Sequence, residues 1–358
     1  VLVNCVNHGI MFRRFLLSGA LRVLLWLVLL CLAPSALARE VTLQDAVISV
    51  ERIWDRAGHN AFTDLIRFDD RLYCAFREGS GHIPGINGTV RIIATDDGAN
   101  WRSSALLDEA AIDLRDPKLS RTPDGRIMVI MAGSFYRGSE YLRREPRVSF
   151  SDRKGAAFSA PQPIVIPESI RTDHDWLWRV TWHEGKGWGV VYQALSAGWQ
   201  THLVSTRDGI HYDHVTSFEI DGKPNETTLR FLPGGELVAL IRREGGDRCG
   251  FIGTSSPPYR DWSWAKLAVR LGGPNFIHLP GGHLLMGTRG GHQNRQWNTS
   301  LFWIDTGGAE ELLFALPSGG DTSYPGFVLE DGKILVSYYS SHEGKTAIYL
   351  ATLRLEAL

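Results

Sequence analysis

One pattern recurs along most of this chain: a short apolar run, a tight turn carrying Gly or Asp, and a second apolar run. Six copies can be aligned on their turns, "LIRFDDRLYCAFRE", "LSRTPDGRIMVIMAG", "VTWHEGKGWGVVYQA", "LRFLPGGELVALIRRE", "IHLPGGHLLMGTRGG" and "FVLEDGKILVSYYSS". The turn anchors Asp70, Gly125, Gly187, Gly235, Gly282 and Gly332 are spaced by 55, 62, 48, 47 and 50 residues. Repeats of this length signal a modular architecture, and each is the size of a four-stranded propeller blade. No helical period of useful length interrupts them. The expected fold is therefore all-β, a six-bladed β-propeller of four-stranded blades. A sandwich or a pair of β-domains does not require such even spacing.

A second element recurs in the latter half of several units. "TDDGANW" (95–101) and "TRDGIHY" (206–212) share T-x-D-G-x-x-aromatic, and "SDRKGAAF" (151–158) is a looser copy. In such a turn Asp accepts backbone N–H groups and Gly supplies a positive φ. These copies resemble the Asp-box, or BNR, repeat of the sialidase (neuraminidase) superfamily, and the repeat pattern is similar from about residue 45 to the end. The resemblance implies a six-bladed propeller, with the box itself structural.

The region from Met11 reads as a basic start, an apolar run and an Ala36-Leu37-Ala38 cleavage site, the order of a secretory signal. The expected organisation is 1–38 as upstream residues plus a cleaved signal peptide and 39–358 as the propeller, with a secreted or periplasmic product not inserted in a membrane. Removing 1–38 takes away three arginines and no acid, leaving 35 basic against 39 acidic side chains. That balance gives no electrostatic case for nucleic acid. Of the cysteines, Cys74 and Cys249 remain; without a CxxC or a Cys/His cluster they read as small hydrophobes and not as a metal site. Twelve Trp among 38 Gly suit a strand-and-turn protein with rings that can meet sugars.

The register predicts one functional face. Seven residues beyond the anchors, three of the six repeats place arginine: Arg77, Arg242 and Arg289. Eight or nine residues before the anchors, at the starts of inner strands, stand Asp116, Arg179, Glu226 and Tyr324. Guanidinium groups around one mouth suit a carboxylate, to which the planar fork donates paired hydrogen bonds.

The sialidase resemblance gives these residues roles. It implies that Arg242 and Arg289 belong to an arginine triad for the sialic acid carboxylate, that Tyr324 in "GDTSYPG" is the nucleophile, and that Glu226 in "PNETTLRF" is its base. A tyrosine makes chemical sense, because a carboxylate nucleophile would be repelled by the substrate's own carboxylate. Where the family carries Arg-Ile-Pro at the first inner strand this chain has "HNAFTDL", so Arg77 is the substitute. The family's aspartate acid/base is missing from "EGSGHIPGING", which leaves Glu78, His82 and Asp116 as candidates for general acid.

The resemblance implies an exo-α-sialidase-like hydrolase acting on sialylated or other acidic glycans, with no metal or organic cofactor. The same arginines also suit a uronic-acid-directed glycosidase or polysaccharide lyase, or a propeller that binds sialoglycans without turning them over. Trp176 and Trp178 are candidates for a sugar platform or for packing, and His342 and Glu343 for substrate hydroxyls or a hairpin cap.

Overall fold

The computed structural model describes residues 41–83, 88–290 and 297–358, so the signal-like segment lies outside the described residues. It contains six antiparallel sheets of four strands each. Blade 1 runs outward from the axis through His59–Phe68, Arg71–Gly79, Thr89–Thr95 and Arg102–Leu107. Blade 2 is Ile112–Arg121, Ile127–Arg137, Glu140–Phe150 and the short Gln162–Pro163. Blades 3, 4 and 5 follow with inner strands Asp175–His183, Pro224–Phe231 and Asn275–His278. Blade 6 has Thr322–Glu330, Lys333–Ser340 and Ala347–Arg354, and takes its outer strand, Val47–Trp54, from the start of the fold. That N-terminal strand pairs antiparallel from Val47 opposite Leu353 to Trp54 opposite Ile348. It closes the ring with backbone hydrogen bonds, so blade 6 cannot form from the C-terminal repeat alone.

Burial follows position in the blade. All seven residues of Leu237–Arg243, the second strand of blade 4, are buried, because neighbouring blades cover both its faces. The outermost strand Arg102–Leu107 buries only Leu107. Apolar clusters fill successive interfaces: Phe68, Ile92 and Leu114 between blades 1 and 2, and Leu240, Phe276 and Met286 between blades 4 and 5. Side chains of this size contribute about 1.5–3 kcal/mol each when fully buried, so the repeat is held together blade against blade.

The turns match the repeat reading with one correction. Gly125, Gly235, Gly282 and Gly332 all sit in hairpins at positive φ, but in blade 3 the turn is Glu184-Gly185 and Gly187 lies inside the strand Lys186–Leu195. Counting seven residues from Gly185 puts Tyr192, and not Ala194, at the position that Arg77 and Arg242 hold in their blades. In the Asp-containing turns, Asp97 Oδ1 accepts the N–H groups of Ala99 and Asn100 at 3.0 and 2.8 Å, and Asp208 Oδ1 those of Ile210 and His211 at 2.8 Å each. Asp305 in "IDTGGAE" does the same for Gly307 and Ala309, although its sequence had lost the pattern. Cys74 is buried, Cys249 is half-buried, and both are free thiols.

The inner strands share a feature that positions the site. In blades 1, 2, 3, 4 and 6 the pairing to the second strand slips after Ala61, Arg115, Leu177, Pro224 and Ser323. Each slip is a β-bulge that leaves two residues out of the ladder and turns them off the sheet face. Those residues include Phe62, Asp116, Arg179, Glu226 and Tyr324. Phe62, Asp116 and Tyr324 adopt φ of 66°, 49° and 57°, uncommon for non-glycine residues and found where surroundings hold a strained backbone in place.

Candidate active site

Tyr324 and Glu226 meet at the centre. The Tyr324 Oη donates to Glu226 Oε1 at 2.6 Å, and both side chains are buried. Glu226 Oε2 accepts from Arg242 Nη1 at 2.7 Å and from the Gly273 N–H at 2.9 Å. Arg242 Nη1 also reaches the Tyr324 oxygen at 3.3 Å, and Nη2 pairs with Glu244. The tyrosine ring is fixed edge-on by Phe62 at 5.0 Å and by Trp178 at 5.6 Å. Gly273, at φ 62°, closes the remaining side: a Cβ there would lie 2.5 Å from the Tyr324 ring.

Burial pushes the Tyr324 phenol well above its ordinary range, and the nearby Glu226 charge adds to this while Arg242 opposes it. The resting phenol is thus neutral and needs a base, and Glu226 is in hydrogen-bond reach to act as one. For Arg242, burial alone would lower the pKa, but Glu226, Tyr324 and Glu244 together hold it well above the usual value.

The strand "LVALIRRE" sorts its arginines by alternation. Arg242 turns to the site. Arg243 turns the other way, donating to Asp221 and Asp247 and lying over Phe251 at 4.7 Å. Arg289 packs on Gly272 and lies 5.9 Å from the Trp297 ring, and among the described residues its guanidinium has neither an ion-pair nor a hydrogen-bond partner. Arg270, which sequence reasoning missed, stands nearby: it pairs with Glu244 at 3.7 Å and feels both Arg242 and Arg289.

Three expectations need correction. Arg77 is 1 % exposed and its guanidinium is taken by Asp113 at 2.8 Å and by the Gly81 carbonyl at 3.0 Å. The register does place it beside Arg242's equivalent position, but an aspartate of blade 2 draws it into the blade interface. Glu78, its neighbour, necessarily faces the opposite side, where it accepts from Trp54 Nε1 at 2.6 Å and pairs with Arg91 at 2.9 Å. Arg179 is buried against Asp64 at 2.8 Å. Arg115 shares Asp113 at 3.2 Å, lies over Phe62 at 5.3 Å, and its charge is felt by Asp116.

Asp116 is 4 % exposed and its Oδ1 has no hydrogen-bond partner. Burial raises its pKa, against the charges of Arg115 and Lys118. Lys118, also missed, is 2 % exposed, 4.7 Å over the Trp178 ring and 5.4 Å over Tyr324. Burial lowers its pKa to about 8. His82 projects from the loop after the second strand of blade 1, its ring 5.1 Å from Phe62. It was legible as a loop histidine, but its partner Asp321 was not, since the two are 239 residues apart.

The tryptophans take the packing role: Trp176 stacks on Tyr192 at 5.5 Å, and Trp178 is 1 % exposed. His342 bonds Ser340 at 2.9 Å and Glu343 bonds Tyr349 at 2.8 Å, so both cap their own hairpin.

No family model matches the sequence, and no curated protein matches it. Solved structures do. A protein of unknown function from Dyadobacter fermentans superposes with a TM-score of 0.74 at 19% identity, covering 86% of this chain and 98% of that one. Trypanosoma rangeli sialidase superposes with a TM-score of 0.68 at 12% identity over 85% of this chain and 59% of its own. An α-L-arabinofuranosidase from Fusarium graminearum gives 0.66 at 14% identity, over 88% and 99%. The chain thus shares its six-bladed propeller fold with structures that include sialidases and an arabinofuranosidase.

Proposed function

We propose that this protein is an exported glycoside hydrolase that removes a terminal nonulosonic acid from glycans by an exo-sialidase-like mechanism. The observation that carries the reading is the buried Tyr324–Glu226 hydrogen bond, 2.6 Å long and braced by Arg242 and the Gly273 N–H. Tyr324 attacks the anomeric carbon while Glu226 takes the phenolic proton, so no anion approaches the substrate carboxylate before the bond forms. Arg242 and Arg289 bind that carboxylate, with Arg270 or Arg115 in the place foreseen for Arg77.

The fold neighbours named for sialidase and arabinofuranosidase activity support a glycosidase and do not choose between sugars. The test is to incubate the protein with a fluorogenic α-sialoside and, separately, with acidic polysaccharides, following free sugar and the absorbance of an unsaturated product. Release of free sialic acid that is lost in Tyr324→Phe supports the reading. Unsaturated product would instead make Tyr324 the base of a lyase, and binding without turnover would make the propeller a lectin.

A further inference from the structure

We infer that His82 is the proton donor and acceptor of this reaction and that Asp321 positions it, an assignment that rests on the hydrolase reading above. Asp321 Oδ2 lies 2.8 Å from His82 Nδ1 and 2.9 Å from His59 Nε2, while Oδ1 accepts from Tyr339 Oη at 2.8 Å. An ionised carboxylate only accepts hydrogen bonds, so both imidazole nitrogens facing it carry protons. That fixes the His82 tautomer and leaves Nε2 directed away from Asp321.

The three members differ in access. The side chains of His59 and Asp321 are 8% and 28% exposed, whereas His82 is 46% exposed. His82 and Tyr324 share a neighbour, the Phe62 ring, which is edge-on to both at 5.1 and 5.0 Å. Asp116, the other candidate, is 4 % exposed with an unpartnered oxygen, poorly placed to exchange protons with solvent after each turnover. Besides Asp321 and His59, the groups facing His82 are Tyr339 of blade 6 and, from blade 2, Asp116 and Arg115, the latter donating to the His82 carbonyl at 3.2 Å. Hydrogen bonds from His59 and His82 outweigh burial and keep Asp321 far below the usual carboxylate range, so the anion persists throughout the working pH range.

In the first half-reaction protonated His82 gives its Nε2 proton to the glycosidic oxygen as the bond from that oxygen to the anomeric carbon breaks. The Tyr324 oxygen bonds the same carbon and its proton passes to Glu226. In the second, neutral His82 takes a proton from water, the water oxygen bonds the anomeric carbon, and Tyr324 leaves and recovers its proton from Glu226.

The test compares kcat/KM of the full chain and its His82→Gln, Asp321→Asn and Tyr324→Phe variants on two α-sialosides, one with a 4-methylumbelliferyl leaving group and one with a galactose leaving group. General acid catalysis is worth about 10²–10⁴-fold and matters least for a phenol that leaves readily. His82→Gln should lose about that factor on the galactoside, under about tenfold on the aryl sialoside, and the fall of kcat/KM at high pH. Asp321→Asn should show the same leaving-group dependence, a larger loss on the substrate with the galactose leaving group than on the aryl sialoside, which packing alone does not produce. Equal losses on both substrates, or a high-pH fall that survives His82→Gln, would overturn the assignment while Tyr324→Phe still reports on the hydrolase. The ligand atoms of His59, His82 and Asp321 lie within 4.8 Å of one another, close enough to hold a metal ion, so inactivation by EDTA that zinc reverses would overturn it too. A wild-type protein inactive on both substrates removes the hydrolase reading and this one with it.

Discussion

Tyr324 and Glu226 are 98 residues apart and belong to blades separated by a third, yet share a buried 2.6 Å hydrogen bond. Neither residue could hold the other within one blade. Each sits on a bulge that turns it out of its own ladder, Tyr324 at φ 57°. If the pair acts as one unit, Tyr324→Phe and Glu226→Gln should each lower kcat by at least about 10³-fold, and the double variant should be little worse than either, because members of one catalytic unit are not additive. Both variants should still bind a sialic acid analogue by calorimetry. Turnover within about tenfold of wild type in Tyr324→Phe would place the nucleophile elsewhere.

The arginines divide into two classes with different signatures. Arg242→Met and Arg289→Met should weaken transition-state binding by about 2–5 kcal/mol, as lost charge pairs do, with unchanged melting temperature for Arg289→Met. Lysine at either position should rescue little, because it cannot make the bidentate contact. Arg77→Met should instead act on stability. It removes the closer of the two arginines on the buried Asp113, which keeps Arg115 at 3.2 Å, so the loss should fall at or below the about 3–5 kcal/mol typical of a fully broken buried pair. Denaturant titration beside steady-state kinetics separates the classes.

Gly273 tests the back wall of the site. Its φ of 62° is disfavoured for other residues, and an added Cβ would lie 2.5 Å from Tyr324. Gly273→Ala should cost about 1–3 kcal/mol of stability and lower kcat by more than tenfold through displacement of the ring and of the N–H that Glu226 accepts. Full activity in this variant would mean that the tyrosine can move freely.

Lys118 predicts a pH dependence. Its folded pKa is depressed from 10.5 to about 8 by burial, so below pH 8 the folded protein carries the full cost of a buried charge. As pH rises from about 8 to 10.5 the unfolded chain holds more protons than the folded one, and this group's contribution to stability increases. The stability of wild type relative to Lys118→Met should therefore improve over that window by up to about 3 kcal/mol. Urea titrations of both proteins at pH 7, 9 and 10 measure it, and parallel curves would show that Lys118 titrates normally.

How much the sequence determined differs between fold and site. The repeat spacing determined the six blades, because turn chemistry and apolar alternation are local and act within a few residues. The register also put Arg242, Glu226, Tyr324 and Asp116 on one face. The tertiary structure alone decided which partner each charged group found. Arg77 and Arg242 hold equivalent positions in their blades, yet Arg77 meets Asp113 of the next blade and Arg242 meets Glu226 of its own. Ring closure by Val47–Trp54 and the His82–Asp321 contact likewise join residues far apart in the chain. Ion pairing acts over a few ångströms in space and leaves no periodic trace in sequence, so the partners of these charges emerge only when the blades have packed.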